Sequence, residues 1–190
     1  MPKDYAEQPR SLVRRQDRAV EDAAWIKAML HKAPVAALAT VQGEQPFINT
    51  NLFVYDETAG VIYMHTARVG RTQANIERQE RVCFSIMEMG RLLPADSAFG
   101  FSVEYAGVTV FGTASVVASQ DEGRYAMELL VTKYAPHLVY GQDYAPVADS
   151  ELARTSIYRI AIEDWSGKKK EAPPDFQGAY LYGQPTQSGD

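Results

Sequence analysis

The sequence has little of what several classes of protein require. It contains one cysteine, Cys83, among 190 residues, which excludes an intramolecular disulfide and a four-cysteine metal site. Cys83 lies in an apolar run, so we expect a buried structural thiol in a protein of the reducing cytoplasm. No apolar run is long enough for a transmembrane helix, and residues 1–10 are too polar for the core of a signal peptide.

The sequence also lacks an excess of positive charge. The formal net charge is -5 and the pI is near 5.3, whereas a nucleic-acid-binding surface needs a concentrated basic face. The one basic run, residues 168–170, is interpreted as the solvated end of a strand. We therefore expect no nucleic-acid partner. At 46% hydrophobic residues, the chain can bury a substantial core as one domain.

What the sequence does have is a series of short strand patterns separated by turns. The strand candidates are residues 35–41, 46–55, 61–64, 82–86, 103–117 and 155–163. Such a series predicts an antiparallel meander that closes into a barrel, which removes exposed sheet edges. A loop at residues 90–100 would connect two of these strands near the functional site.

Helical patterns flank the strands. The first has Asp17 as its cap and an apolar stripe from Val20 to Leu30, and it ends before Pro34. A short helix is predicted over residues 72–81 and an amphipathic one over residues 120–134. The predicted organisation is an N-terminal arm (1–15), one domain (16–170) and a tail (171–190) whose aromatic residues would pack on a neighbouring subunit.

Residues 61–72 carry the clearest chemical signal. An apolar strand ends there in a cluster of imidazole, hydroxyl and guanidinium groups: His65, Thr66, Arg68, Arg71 and Thr72. Gly70 would let the backbone approach a ligand closely or adopt a positive φ angle. The NH groups at the start of the following helix would face the same point, so the segment predicts an anion site.

A simpler interpretation of these residues stays open. Arg68 and Arg71 would then be ordinary solvated charges, and His65 would be a histidine at the edge of the core that bonds to the backbone. A single Gly-Arg-Thr sequence is a weak motif, so the local pattern alone does not decide between the two interpretations.

Longer stretches resemble a known family. Residues 46–56, 61–72, 81–86 and 101–114 resemble the pyridoxamine 5′-phosphate oxidase-like flavoproteins, and within them the branch of the nitroimidazole-resistance proteins. The resemblance implies a mainly β fold with flanking helices, a six-stranded antiparallel split β-barrel. It also implies FMN as cofactor, with FAD as the alternative, and a homodimer that holds the flavin between its subunits.

By the same resemblance, three groups of residues would contact the flavin. Those along the ring are Ile48, Asn49, Thr50 and Asn51. Those at the ribityl and phosphate end are Met64, His65, Thr66, Gly70, Arg71 and Thr72. Trp165 and Lys168 would reach the cofactor from the C-terminal strand, either of the same chain or of the partner subunit.

Two departures from the family pattern bear on function. Thr72 stands where relatives often have lysine, so one cation is replaced by a neutral hydroxyl. Either the affinity for phosphate is lower as a result, or Arg68 compensates for the missing charge. The C-terminal arginine and histidine pattern that holds the vitamin B6 substrate is missing, which argues against vitamin B6 oxidation.

The leading hypothesis is therefore an FMN-dependent oxidoreductase that acts on a small, aromatic or nitro-bearing substrate, with His65 as a proton-transferring catalytic residue. The alternatives are a flavin-binding or flavin-sensing module with little catalysis, and a haem-binding split barrel with His31 or His65 as the iron ligand.

Overall fold

The N-terminal segment reaches the sheet before the first helix begins. In the computed structural model, which describes residues 4–184, short 3-10 turns at Tyr5–Glu7 and Gln16–Arg18 precede a two-residue strand, β1 (Ala19–Val20). β1 pairs with the far end of the last strand. The predicted arm and tail extend beyond the described residues, into 1–3 and 185–190.

The first helix, α1 (Ala23–Lys32), begins later than predicted. Asp22 is its cap and accepts a hydrogen bond from the amide of Ala24 at 2.9 Å. The prediction of Asp17 as the cap was wrong, because pairing in β1 holds Val20 in an extended conformation; Asp17 instead pairs with Arg15. The predicted apolar stripe is confirmed at Ile26 and Leu30, which are buried.

The remaining elements follow in chain order. The strands are β2 (Ala36–Gln42), β3 (Gln45–Asn51), β4 (Phe53–Asp56), β5 (Val61–Ala67), β6 (Arg81–Leu93), β7 (Ser102–Val116) and β8 (Thr155–Lys170). The helices are α2 (Arg71–Arg78), α3 (Gln120–Tyr134) and α4 (Asp149–Leu152). The predicted helix over residues 120–134 is confirmed, and the short helix predicted over 72–81 begins one residue earlier and ends three earlier.

All strand pairs are antiparallel, in the order β3-β2-β6-β7-β8-β5-β4. The predicted mainly β fold with flanking helices is confirmed, but the described chain forms eight strands rather than six. The edge strands β3 and β4 are consecutive in the chain, joined only at Leu52, and belong to opposite ends of the sheet. The sheet is therefore curled but not closed, as a split barrel is.

One predicted strand, 46–55, is in fact two. The backbone NH and carbonyl of Phe53 both bond to the hydroxyl of Tyr134 on α3, at 3.0 and 2.9 Å. Asn51, on the other side of Leu52, uses its own side chain to bind the amide of Leu52 at 2.8 Å. Asn51 is the last residue of β3 that pairs with β2, and Phe53 is the first residue of β4 that pairs with β5, so the chain changes its partner strand at Leu52.

Two more boundaries differ from the sequence pattern. β6 continues to Leu93 through a register shift between Met89 and Leu92, so the predicted loop at 90–100 begins only at residue 94. β8 continues seven residues beyond the predicted end at Glu163, past a second register shift opposite Phe111 and Gly112. The lysine run is its end, as predicted.

Two apolar clusters hold the fold together. The larger fills the inside of the sheet under α1 and includes Phe84, Val110 and Tyr158; the smaller lies between β5 and α3. Cys83 faces away from the larger cluster and is half-buried, whereas the sequence predicted a buried thiol. This partial burial still raises the pKa of the thiol. Among residues 4–184, no helix combines the length and the apolar character needed to cross a bilayer.

The described part of the tail packs on its own chain. Tyr180 pairs with Leu92 through backbone bonds of 2.7 and 3.2 Å. Arg91 forms an ion pair with Glu104 at 2.7 Å and also donates to the carbonyls of Pro173 and Pro174. The β6 and β7 hairpin is therefore strapped to the tail, while Phe176, Leu181 and Tyr182 of the same segment stay exposed.

Candidate functional site

The first turn of α2 is fixed between two strands. The buried hydroxyl of Thr72 accepts a hydrogen bond from the Asn49 side chain on β3 at 3.2 Å. On the other side, the Ser156 hydroxyl on β8 donates to the Gln73 side chain at 2.7 Å. Thr72 is therefore an anchor of the helix rather than a free surface group.

The start of α2 carries backbone NH groups that no side chain caps. The cap position is Gly70, which has no side chain to accept from them. Unpaired NH groups and the helix dipole give this end a partial positive charge, which favours a bound anion.

The backbone before the helix leaves room for such an anion. Gly70 has φ 170°, an extended conformation, so the expectation of a positive φ angle was wrong. A Cβ atom at Gly70 would have no neighbour within 4 Å. Neither backbone strain nor packing inside the chain therefore requires glycine here, whereas close approach of a ligand would.

The two arginines of the segment behave differently. The Arg71 guanidinium bonds to the Gln42 side chain and lies 5.9 Å from the ring centre of Phe47, on the rim beside the α2 start. The Arg68 guanidinium instead donates to the carbonyl of Ala153 at 2.6 Å. The expectation that Arg68 would compensate for Thr72 is not supported, because its guanidinium is held against the end of α4.

A line of polar contacts continues from α2 along β5. The Asn51 side chain donates to the carbonyl of His65 at 2.5 Å, which ties the end of β3 to β5. The hydroxyl of Thr66 lies 2.8 Å from the hydroxyl of Tyr158. These bonds fix the strand ends that surround the α2 start.

His65 lies on the opposite face of β5 from its two neighbours. Met64 is buried in the large core and Thr66 bonds to Tyr158 of that core, whereas His65 shares the α3 side with Tyr63. Burial lowers the pKa of His65, so its ring is neutral near pH ~7. Its Nδ1 is buried and has no hydrogen-bond partner within residues 4–184.

Not all expected contact residues converge on this point. Ile48 and Thr50 point outward from β3 and are exposed, while the Met64 side chain is fully enclosed, so only its backbone could meet a ligand. Ile157, the partner of His65 on β8, lies at the end of β8 that is next to the site. From Ile157 to Lys168 the strand is roughly 35 Å long, so Lys168 lies far from the site in the same chain. Trp165 packs on the core and Lys168 lies beyond it, so the structure does not bring either to the α2 start of the same chain.

Three side chains at the site were not singled out by the sequence pattern. They are Gln73 and Asn75 on α2 and Tyr158 on β8. Asn75 is buried, donates to Thr40 at 2.9 Å and leaves its carbonyl oxygen without a partner in the described chain. Apolar and polar residues alternate along β8, and this pattern could have predicted that Tyr158 faces inward. No sequence pattern distinguishes Asn75 from the other polar residues of α2.

The comparisons with known proteins agree with this architecture. The family model described as pyridoxamine 5′-phosphate oxidase matches residues 22–169, most of the chain. The chain belongs to this family. The match includes all the elements that surround the α2 start and ends within the last strand. No curated protein matches the chain significantly.

Solved structures share the fold at low identity. The flavocytochrome Anf3 from Azotobacter vinelandii is 21% identical with a TM-score of 0.79, over 96% of this chain and 91% of that chain. An FAD- and haem-binding protein from Mycobacterium smegmatis is 22% identical with a TM-score of 0.73, over 83% and 76%. A protein described as a 5-nitroimidazole antibiotic resistance protein, from Bacteroides thetaiotaomicron, is 16% identical with a TM-score of 0.66, over 80% and 86%.

Proposed function

We propose that this family member binds a flavin, FMN in preference to FAD, and uses it to oxidise or reduce a small, aromatic or nitro-bearing substrate. The observation that carries the proposal is the uncapped start of α2, with open space before Gly70 and Arg71 on its rim. Backbone NH groups, a helix dipole and a guanidinium together suit a phosphate monoester, which is the terminal group of FMN.

The other polar groups suit the rest of such a cofactor. Asn49 and Asn51 lie along the inner side of β3, opposite Leu38 and Ala36 in register, and present amide groups next to α2 and β5. When bound, a flavin would supply the electron transfer, and the chain would supply orientation, hydrogen bonds and exclusion of water. The neutral ring of His65 could accept a proton at Nδ1, which has no partner within the described chain.

Similar folds support a flavin more strongly than they support a substrate. One of the solved structures is named a flavocytochrome, and another binds FAD and haem by its name. The nitro-bearing substrate rests on the resemblance of residues 46–72 to the nitroimidazole-resistance branch, and a structure of such a protein shares the fold.

We further propose that the flavin lies between two subunits of a homodimer. Large apolar side chains near the site, Ile48, Leu52 and Val69, are exposed in the single chain, and a partner subunit would cover them. The length of β8 also separates Trp165 from the α2 start of its own chain, so it could contact the same cofactor only from a second copy. Sedimentation that shows a flavin-loaded monomer at micromolar concentration would exclude this arrangement.

The substitution Gly70→Ala tests the flavin site with little risk to the fold. Because the backbone is extended and the added methyl group meets no atom within 4 Å, we expect the midpoint of thermal unfolding to stay unchanged. The same methyl group would intrude on a bound phosphate, so FMN affinity should fall by about tenfold. Unchanged FMN affinity would remove the phosphate from this position.

Turnover separates an enzyme from a flavin-sensing module. The FMN-loaded protein should oxidise NADH or NADPH and pass the electrons to a nitroaromatic acceptor over many cycles. His65→Gln, which keeps a polar side chain but cannot transfer a proton in the same way, should slow turnover when the rate is expressed per bound flavin. Bound flavin without turnover by any donor and acceptor pair would favour the sensing module.

Haem binding is the second candidate, because His65 leaves Nδ1 unpartnered within the described chain. His31 is a weaker iron ligand candidate, since its Nε2 lies 3.1 Å from the Glu57 carboxylate on the surface. Protein titrated with haemin should show no saturable Soret band if flavin is the sole cofactor. A stoichiometric Soret band that His65→Gln abolishes would favour the haem candidate.

A further inference from the structure

One lysine of α3 lies among backbone carbonyls and aromatic rings, and the flavin proposal does not use it. The ammonium of Lys133 donates to the carbonyls of Ala33 and Leu30, at the end of α1, at 2.8 and 3.5 Å. It also lies 3.6 Å from the ring centre of Phe53 and 5.4 Å from that of Tyr134. These two carbonyls and two rings form what we call the Lys133 niche.

The Lys133 niche lies at the surface of the chain. Lys133 and Tyr134 are half-buried rather than fully enclosed. Pro34 and Val35, which follow the carbonyl of Ala33, are both exposed. The Tyr134 hydroxyl, a titratable group of the same niche, is bonded to the carbonyl of Pro34 at 2.7 Å. A small reagent can therefore approach the nitrogen from the connection between α1 and β2.

The two lysines of α1 have a different environment. Lys27 pairs with the carboxylate of Glu57 at 3.0 Å, and Lys32 pairs with that of Glu88 at 2.8 Å. A carboxylate at this distance favours the charged form of a lysine, and the hydrogen bond to Glu57 raises the pKa of Lys27. These amines therefore keep their protons at neutral pH and are poor nucleophiles.

Burial has the opposite effect on Lys133. It lowers the pKa from 10.5 to about 8, and no neighbouring charge contributes to this shift. The charged groups on the elements packed against the niche have other partners. On α1, His31 pairs with Glu57, and on β4, Asp56 accepts from the Tyr125 hydroxyl at 3.0 Å. At pH ~7.5 about a quarter of Lys133 is therefore the neutral amine, against about a thousandth of a lysine with an ordinary pKa.

We propose that Lys133 is a modification site, at which a small activated acyl group is transferred to the side-chain amine from an acyl thioester or an acyl phosphate. The ammonium first gives one proton to water. The lone pair of the amine then forms a C–N bond to the acyl carbon, and the C–S or C–O bond to the leaving group breaks. The leaving group departs as a thiolate or as phosphate, and a second proton of the nitrogen goes to water. No electrons are gained or lost, so the reaction needs no oxidant or reductant.

The Lys133 niche suits the amide that forms. An acylated Lys133 keeps one N–H group for the carbonyl of Ala33, and a small acyl group can lie on the ring of Phe53 or Tyr134. The product carries no charge, so the desolvation that disfavours the ammonium no longer applies. A carbamate formed from CO2 would instead put a negative charge beside two carbonyl oxygens. None of these contacts involves the α2 start, so the proposal is independent of the proposed flavin function.

Brief treatment of the native full chain with acetyl phosphate, or with a neutral acetyl thioester, tests the proposal. Mass spectrometry of peptides cut at sites other than lysine measures the acetylated fraction at each lysine, and Lys27 of the same molecule is the internal control. At pH ~7.5 Lys133 should react about tenfold faster than Lys27, because its larger neutral fraction outweighs the lower nucleophilicity of a less basic amine. A preference for Lys133 with one donor alone would identify the class of donor and support the proposal.

Two conditions show whether the fold creates this reactivity. The rate at Lys133 should level off above pH about 8, whereas the rate at Lys27, whose pKa is raised by Glu57, should keep rising. In urea that unfolds the chain the niche is lost, so the two lysines should react at equal rates. Equal rates in the folded protein, the same pH profile for both lysines, or a preference that persists in urea would each overturn the proposal.

Discussion

Replacing Lys133 with methionine should change how the stability of the protein depends on pH. The ammonium group of Lys133, on α3, donates to the carbonyl of Ala33 at 2.8 Å and lies 3.6 Å from the ring centre of the fully buried Phe53. Within residues 4–184, no carboxylate contributes to its pKa shift, and burial is the one cause. Burial lowers its pKa from 10.5 to about 8.

The sign of the effect follows from proton linkage. Between pH ~8 and ~10.5 the unfolded chain keeps its proton on Lys133 while the folded chain loses it, so the folded state gains stability as the pH rises. One pKa unit corresponds to ~1.4 kcal/mol, so the wild type should gain ~2 kcal/mol between pH ~8 and ~9.5. The carbonyl bonds and the Phe53 ring favour the charged form, which reduces the expected gain to ~1–2 kcal/mol.

Urea unfolding at pH ~7 and pH ~9.5 measures this gain as a difference between two proteins. The free energy of unfolding of the wild type, relative to Lys133→Met, should rise by ~1–2 kcal/mol at the higher pH. Lys32→Met is the control, because Lys32 is exposed and pairs with Glu88 on the surface. If the difference in free energy of unfolding between the wild type and Lys133→Met is the same at both pH values, the Lys133 ammonium is not desolvated and the reasoning is refuted.

Two further predictions concern residues of strand β7. The hydrogen bond from Arg91 lowers the pKa of Glu104 to about 2, so this pair stabilises the fold at neutral pH and the stabilisation is lost as the pH falls from about 4.5 to about 2. Glu104→Gln should therefore lower the stability at neutral pH and make it depend less on pH in that range. Acid titration followed by circular dichroism measures this, and an unchanged acid profile would contradict the prediction. Gly112→Ala should destabilise the fold by about 3 kcal/mol, because the added Cβ would collide with the carbonyl of Ala161 at the register shift between β7 and β8. Thermal unfolding measures the loss, with Gly70→Ala as the control. Equal unfolding midpoints for the two variants would contradict the prediction.

Much of the fold could be predicted from patterns of local origin. Alternation and turn residues predicted the strands, and the helix over residues 120–134 has the predicted bounds because Ser119 caps it and Leu130 faces the core. The misplaced cap at Asp17 shows the limit of such patterns. Two residues of pairing with β8, more than 140 positions away in the chain, decide that Val20 is extended, and no local pattern contains that contact.

The candidate site was predictable in part for the same reason. The polar cluster after β5 indicated the α2 start, but the sequence could not show that Arg68 turns to Ala153 or that Thr72 is buried against Asn49. It also grouped Met64 with His65, although alternation along β5 puts them on opposite faces. Side-chain direction depends on tertiary packing, which is why chemistry was easier to predict than geometry.

The central claim is that the start of α2 holds the phosphate of a flavin, and one comparison of affinities tests it directly. FMN and riboflavin differ only by that phosphate, so fluorescence titration of both ligands isolates its contribution. The wild type should bind FMN about a hundredfold more tightly than riboflavin, and Arg71→Met should narrow this ratio by about tenfold without weakening riboflavin. Arg78→Met, at the other end of the helix, should leave the ratio unchanged. Equal affinity of the wild type for FMN and riboflavin, or an unchanged ratio in Arg71→Met, would contradict the account.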